Sequence, residues 1–327
     1  MTAALAVRKT RPLQPVSGLP SPVVGLDPTF PGAAEAIVAR QEFTELAARI
    51  VPEDRALWCV MAPRARPCFT RPLLRELAHI RDLIDALFMA KPADASPPFD
   101  YFVLGSRSRG VFSLGGDLHL FANCIRAGDR EGLRAYAHAC AMTAHDNHSG
   151  HGHGVITIGL IQGDALGGGM EGALSCDVLI AERQVKFGLP EVLFNLFPGM
   201  GAYSFLSRRV GMVKAQEIIL SGRLYTAAEM QALGVIDVLV EAGEGERAVR
   251  DYISRHRGHF RAQSAIYKVR RRVNPVPSQE LLDVADIWVD AALNLTDQDL
   301  RRMSRIAAAQ DRTLATRLGA EGAAISA

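Results

Sequence analysis

Two glutamates stand in glycine-rich, apolar stretches of this sequence, where an acidic side chain is unusual. Glu171 follows the run ALGGGM, and Glu191 stands twenty residues later within FGLPEV. Burial in apolar surroundings raises the pKa of a carboxyl group, which suits the group to general acid–base catalysis near neutral pH. The pattern therefore makes both glutamates candidate catalytic residues. Acids in the first turn of ordinary helices give the same pattern, so that alternative stays open.

Two glycine turns accompany these acids. In each, an apolar run typical of a strand leads into glycines and then into a helix-like segment, at residues 111–118 and 155–171. Glycine lets a ligand approach the backbone closely, and the first N–H groups of a helix have no partner within it. The turns therefore predict a site for a developing negative oxygen. Neither a clean GxGxxG fingerprint with a later acid nor a GK[ST] phosphate loop is present.

Hydrophobic periodicity predicts the elements that would carry these turns. Short apolar runs predict strands at residues 56–62, 101–106, 155–163 and 177–182. Helical patterns cover residues 33–50 and 72–89 and most of the chain beyond Gly199. Strands separated by helices predict an α/β fold with crossover connections.

The composition is that of an ordinary globular protein. Of the 327 residues 48% are hydrophobic, and the net charge of +2 favours neither a nucleic-acid partner nor an acidic disordered chain. The five cysteines are scattered without CxxC spacing, so we expect reduced thiols in a cytoplasmic protein. No apolar run reaches the ~18 residues of a membrane span. Six of the 17 prolines fall within residues 1–32, which predicts an N-terminal tail.

The ordered landmarks FSLGGDL, ALGGGME, DVLIAE, FGLPEV and FPGMGA resemble those of the crotonase, or enoyl-CoA hydratase/isomerase, superfamily. The resemblance implies a spiral of repeated ββα units over residues 33–240. It implies a helical region over residues 241–327 that walls the substrate tunnel and builds a homotrimer or a dimer of trimers. Two backbone amides would hold the thioester oxygen, and these positions fall on Leu114 and Gly168. Glu171 and Glu191 fall on the two acidic positions of the hydratases.

Within this superfamily the chain is similar to the diffusible signal factor synthases of bacterial quorum sensing, through runs such as NHSGHGHGVITI and IWVDAALNL. That branch implies dehydration of a 3-hydroxyacyl chain on acyl carrier protein to a cis-2-unsaturated thioester, followed by hydrolysis to the free fatty acid. Glu191 would take the α-proton and Glu171 would protonate the departing hydroxyl, although the two roles could be reversed. A regulatory sensor kinase would be a partner. An ordinary enoyl-CoA hydratase or isomerase and a non-catalytic binding protein remain alternatives.

The same resemblance places Met200 and Trp288 in the pocket for the acyl chain, with Leu166 as a further candidate. Plain core packing would explain all three residues equally well.

The basic run KVRRR adds candidates for contact with the carrier. Lys268, Arg270 and Arg271 could meet the phosphates of CoA or the acidic surface of acyl carrier protein, and a solvated helix face is the alternative. The histidine-rich run HDNHSGHGH, at residues 145–153, lacks convergent ligands at metal spacing. We therefore expect no metal and no cofactor beyond the thioester carrier.

Overall fold

The computed structural model describes residues 32–324, so the predicted tail lies outside the described residues except for Gly32. The strands are β1 Leu46–Val51, β2 Ala56–Met61, β3 Tyr101–Ser106, β4 Val111–Ser113, β5 Ile156–Ile161, β6 Asp164–Leu166, β7 Val178–Glu182, β8 Lys186–Gly188, β9 Leu224–Thr226 and β10 Val238–Val240. The helices are α1 Ala33–Ala39, α2 Arg71–Met89, α3 Leu118–Ala127, α4 Arg130–His148, α5 Gly168–Leu174, α6 Ala202–Val210, α7 Met212–Ser221, α8 Ala227–Ala232, α9 Gly245–His256, α10 Phe260–Val273, α11 Ser278–Leu293 and α12 Asp297–Ala324.

The strands form two sheets. The larger sheet has the order β1-β2-β3-β5-β7-β10, and all its pairs except β1–β2 are parallel. The smaller sheet has the order β4-β6-β8-β9, and its first two pairs are parallel. Along the chain, a long strand enters the first sheet, a short strand enters the second, and a helix follows. This arrangement confirms the predicted α/β fold built as a spiral of ββα units.

The helix predicted at residues 72–89 is α2, and its sequence explains its bounds. The Thr70 hydroxyl caps the helix by accepting from the amide of Leu73, and Pro72 occupies the first turn, where its missing N–H costs nothing. Leucines and isoleucines at helical spacing then bury one face against the core.

The helix predicted at residues 33–50 is wrong in its second half. Helix α1 ends at Ala39, and the segment that follows enters the sheet as β1, antiparallel to β2. Leu46 and Ile50 are buried four residues apart, a spacing that suits a helix as well as a strand. The pairing with β2 decides the outcome, and this long-range contact is invisible to local periodicity.

The smaller sheet sets the two glycine turns side by side. Strands β4 and β6 are parallel neighbours, with Ser113 in register with Ala165. The carboxyl ends of parallel neighbours lie at the same edge of a sheet, so the turn after β4 lies next to the turn that opens α5.

Helices dominate the chain after β10. Helix α11 packs against α4, and α12 packs against α3 and against the 3-10 helix Pro190–Phe194. These contacts bring residues far apart in sequence to the glycine turns. No helix within residues 32–324 combines the length and the apolar character that crossing a membrane requires.

Candidate active site

The glycine run after β6 holds its backbone in a conformation that requires glycine. Gly167 has φ 52° and ψ −127°, and its amide donates to the carbonyl of Gly188 at 2.8 Å. Gly168 then begins α5, and no acceptor for its N–H is found among the described residues. The amide of Gly168 is therefore available to a ligand.

A second free amide lies at Gly116. No acceptor within residues 32–324 is found for its N–H, and a Cβ placed on Gly168 would come within 3.3 Å of its nitrogen. The turn after β4 thus brings one unpaired amide beside the unpaired amide of α5. Two such donors together can hold an oxygen that gains negative charge.

The prediction that the amide of Leu114 binds the thioester oxygen is wrong. The Leu114 amide donates to the carbonyl of Pro67 at 2.7 Å, so it is already occupied. Gly115, with φ 94°, then reverses the backbone, and the free amide comes two residues later than predicted. Leu114 still lines the same pocket through its other atoms.

Glu171 lies in the first turn of α5 and is buried. Its Oε1 accepts from the amides of Met200 and Ala202, at 2.7 and 2.9 Å. Burial raises the pKa of this carboxyl to about 7, and the amides of Ala202, Met200 and Gly201 oppose the rise by stabilising the charged form. One oxygen is thus fixed by the backbone, and the carboxyl group lines the pocket.

Glu191 lies in the 3-10 helix that follows Pro190, and it lines the same pocket as Glu171. Its Oε2 is buried and has no hydrogen-bond partner among the described residues. Burial raises the pKa of Glu191 to about 8, and the negative charge of Glu171 adds to the rise. The structure therefore brings the two predicted glutamates together in a site that disfavours charge on both.

The two carboxyls differ in the hydrogen bonds that they receive. Glu171 receives backbone hydrogen bonds from Met200 and Ala202 that favour its carboxylate, whereas for Glu191 only a hydrogen bond with its own backbone opposes the rise in pKa. Burial and mutual repulsion therefore disfavour two negative charges on the pair near neutral pH. One group can accept a proton while the other donates one.

The rest of the pocket is largely apolar. Helices α3, α4, α11 and α12 and the segment after Glu191 form its wall, and the side chains concerned are Leu118, Phe121, Tyr136, Ala137, Cys140, Phe194, Leu196, Met200, Trp288, Ile306 and Gln310.

Of the three residues predicted to line the acyl pocket, two line it in the structure. Met200 and Trp288 line the pocket, and the Trp288 ring packs edge-on against Phe121 at 4.8 Å between centroids. Leu166 does not line it and packs instead with Cys68, Val111 and Leu114. Leu166 is thus outside the pocket wall and reaches it only as a neighbour of Leu114.

The predicted carrier contacts on α10 are engaged elsewhere. Arg270 and Arg271 both pair with Asp177, whose side chain is fully buried, and Arg271 also donates to the carbonyl of His148 at 2.6 Å. Burial raises the pKa of Asp177, and the two arginines oppose that rise. Lys268 lies beside Gly154 at a separate groove. None of the three lines the pocket, so the structure gives the arginines a structural role.

The histidine-rich run forms the end of α4 and the turn Gly150–Gly154. His153 pairs with Asp85 at 2.7 Å and stacks on Phe88, while His151 is buried against Phe102. No group of three potential metal ligands is found among the described residues.

Sequence reasoning missed Tyr136, Gly116 and Gln310. Tyr136 donates to the carbonyl of Phe69 and accepts from the amide of Asp117, so it braces the turn that contains Gly116. The only local signal was Gly116 itself, which is one residue before the acid in FSLGGDL. Tyr136 and Gln310 reach the site through helix packing, which leaves no sequence signal.

A ββα spiral with two unpaired amides beside buried carboxyls defines the crotonase class of proteins. In agreement, residues 76–268 match the family model described as enoyl-CoA hydratase/isomerase, and the chain belongs to this family. Curated relatives include a probable enoyl-CoA hydratase of Mycobacterium tuberculosis, 46% identical over 88 residues, or 27% of this chain and 34% of that one. Methylglutaconyl-CoA hydratase of Rattus norvegicus is 43% identical over 97 residues, or 29% and 31%. The alignments thus span about a third of these relatives' length.

Solved structures show the same fold. Enoyl-CoA hydratase from Bacillus halodurans has a TM-score of 0.68 at 22% identity, covering 80% of this chain and 100% of that one. Human mitochondrial delta3-delta2-enoyl-CoA isomerase has a TM-score of 0.67 at 16% identity, covering 83% and 99%. DspI of Pseudomonas aeruginosa has a TM-score of 0.58 at 24% identity, covering 72% and 92%. The predicted crotonase fold is confirmed.

Proposed function

We propose that the protein adds water across the C2–C3 double bond of an enoyl thioester, and catalyses the reverse dehydration. The observation that carries this proposal is the placement of Glu171 and Glu191 in one pocket beside the free amides of Gly116 and Gly168. Two carboxyls with opposite protonation and an oxygen-binding pair of amides are the parts that this chemistry requires.

In the hydration direction, the thioester oxygen lies between the two amides. The Glu171 carboxylate takes a proton from water, and the oxygen of that water bonds to C3. The electrons of the double bond move towards the thioester oxygen, and the amides stabilise the resulting enolate. The protonated Glu191 then gives its proton to C2, and the thioester oxygen regains its carbonyl bond.

Dehydration runs through the same steps in reverse. Glu191 takes the proton from C2, and Glu171 protonates the oxygen leaving C3, which are the roles that the sequence resemblance implies. That direction must begin with the opposite distribution of the proton between the two acids. The raised pKa of both carboxyls is compatible with either direction, because each group can hold or release a proton near neutral pH.

A second candidate is dehydration of a 3-hydroxyacyl chain on acyl carrier protein, followed by hydrolysis to a free cis-2-unsaturated acid, as in the diffusible signal factor synthases. The sequence resemblance supports this candidate. Trp288, Ile306 and Gln310 line the pocket yet lie beyond residues 76–268, the part matched by the family model. Part of the pocket wall is thus built from residues that the family model does not match.

Product analysis by mass spectrometry tests both candidates. The purified protein would be incubated with a 2-enoyl-CoA and, separately, with a 3-hydroxyacyl acyl carrier protein, with Glu171→Gln as the matched control. Hydration predicts a product heavier by one water with its thioester intact. A free unsaturated acid from the carrier protein would establish the second candidate. Neither product above the control would contradict the proposal.

A further inference from the structure

Helix α12 forms part of the pocket wall and is held by hydrogen bonds near Thr296 and near Gln310. Near its start, Thr296 and Asp299 exchange hydrogen bonds between side chain and amide, which fixes the first turn. The α12 residues Met303 and Ala307 are buried. Ile306 and Gln310 line the pocket that contains the two glutamates.

Arg66 binds the part of α12 that contains Ala307 and Gln310. Its Nη2 donates to the carbonyl of Ala307 at 3.2 Å and to Oε1 of Gln310 at 2.6 Å, and its Nε lies 3.2 Å from Asp311. The carbonyl of Pro67, the next residue, accepts a hydrogen bond from the amide of Leu114. The segment that braces the oxyanion turn therefore also positions Gln310.

The bond from Arg66 fixes which way the amide of Gln310 faces. A guanidinium group has only donors, so the Gln310 atom that meets it must be the oxygen. The NH₂ group, with two donors, is then turned away from Arg66. No acceptor for it is found among the described residues, and the residue lines a pocket whose wall is otherwise largely apolar.

The neighbours of Gln310 are exposed to solvent. The side chain of Asp311 is 48% exposed, and that of His119, 3.9 Å from it, is 68% exposed. The catalytic carboxyls lie at the buried end. Gln310 thus lies on the solvent-exposed side of the pocket wall, the side on which we place the carrier arm.

We propose that Gln310 binds the carrier arm of the substrate by donating a hydrogen bond from its NH₂ group to an amide carbonyl of the pantetheine chain. CoA and acyl carrier protein share this arm, so Gln310 recognises the thioester carrier in either form. Arg66 acts as the positioning residue that keeps the donors facing the pocket. The inference rests on the proposed function in taking a pantetheine thioester as the substrate.

Two substitutions distinguish a residue that donates a hydrogen bond to the ligand from one that only anchors α12 to Arg66, which we call a latch. Gln310→Leu removes the donors at similar volume. Gln310→Glu keeps an oxygen for Arg66 and gains an ion pair with it, but it replaces the NH₂ group by an acceptor that repels a carbonyl. A latch role predicts that Gln310→Glu behaves as the native protein, whereas the donor role predicts that it fails as Gln310→Leu does.

The experiment is calorimetric titration with unreactive thioethers, which needs no turnover. One ligand carries an acyl-like chain on N-acetylcysteamine, which provides an amide, and the other carries the same chain on a plain alkyl thiol. We expect Kd for the amide ligand to rise about 3- to 10-fold in both variants, since one neutral hydrogen bond is lost. Kd for the alkyl ligand should stay the same, and the melting temperature of Gln310→Glu should match that of the native protein.

Equal Kd values for the amide ligand in native protein and Gln310→Glu would overturn the inference. An equal loss on both ligands would also overturn it, because it would show a general change in the pocket. Native protein that binds both ligands but neither adds nor removes water would contradict the proposed function while leaving the binding result for Gln310 intact.

Discussion

Gly167 and Glu191 are so close that no side chain fits between them. A Cβ on Gly167 would lie 2.5 Å from Oε1 of Glu191, and the positive φ of 52° also favours glycine at this position. The first glycine of the run GGG thus admits one carboxyl, the second offers its amide, and Glu171 follows on the same short helix.

The contact predicts that Gly167→Ala displaces Glu191 and lowers kcat by roughly 10- to 100-fold, in keeping with the sensitivity of catalysis to small misplacements. The rate of enoyl-CoA hydration, monitored as the loss of the absorbance of the conjugated double bond, measures this change in kcat. Gly128→Ala, a positive-φ glycine with open space around it, is the matched control for backbone strain. Equal kcat values for the two variants would contradict the role assigned to this contact.

The amide of Gly168 can be removed without removing the helix. Proline is well accepted at the first position of a helix, so Gly168→Pro deletes the N–H, whereas Gly168→Ala keeps it. A Cβ at this position would lie 2.5 Å from the Met200 sulfur, so both side chains crowd that sulfur and alanine controls for the contact. We expect proline to lower kcat by about 100- to 1000-fold relative to alanine. Similar kcat values would show that this amide holds no charged oxygen.

The raised pKa of Glu191 predicts a stability change with pH. Because its pKa rises from 4.5 to about 8 on folding, the folded state keeps a proton that the unfolded state releases between these values. The native protein therefore loses stability as pH rises through this window. Glu191→Gln should gain stability relative to native protein, by roughly 2 to 4 kcal/mol at pH 8 and by little at pH 5.

Denaturant unfolding at the two pH values measures this difference. Glu53→Gln, at an exposed glutamate, is the control. A stability difference for Glu191→Gln that does not change with pH would mean that Glu191 is ionised in the folded protein.

We expect Arg270 and Arg271 of α10 to contribute to stability and to have no effect on catalysis. Arg271→Ala leaves the buried carboxylate of Asp177 with one partner, and breaking a buried ion pair costs about 3 to 5 kcal/mol. The neighbouring Arg272 is exposed, and Arg272→Ala serves as the control. We expect a lower melting temperature for Arg271→Ala alone, with KM for enoyl-CoA unchanged below that temperature. A raised KM at unchanged stability would restore the carrier-contact interpretation.

The sequence allowed prediction of the features that depend on local chemistry. The strands before the glycine turns, the helix α2 and the pair Glu171 and Glu191 follow from periodicity, capping and motif. The donor at Gly116 could not be placed, because the sequence does not show that the carbonyl of Pro67 occupies the amide of Leu114. Likewise, the partners of Arg270 and Arg271 were hidden, since Asp177 lies more than ninety residues earlier in the chain.

The central claim is that Glu171 and Glu191 act as one acid–base unit. Turnover of an enoyl-CoA by Glu171→Gln, Glu191→Gln and the double variant tests it most directly, with circular dichroism to verify the fold. Each single variant should lower kcat by about 100- to 10,000-fold, because one proton transfer is lost. The double variant should be hardly slower than either single one, since a unit fails when one member is lost. Near-native turnover in either single variant, with the fold intact, would contradict the two-glutamate mechanism.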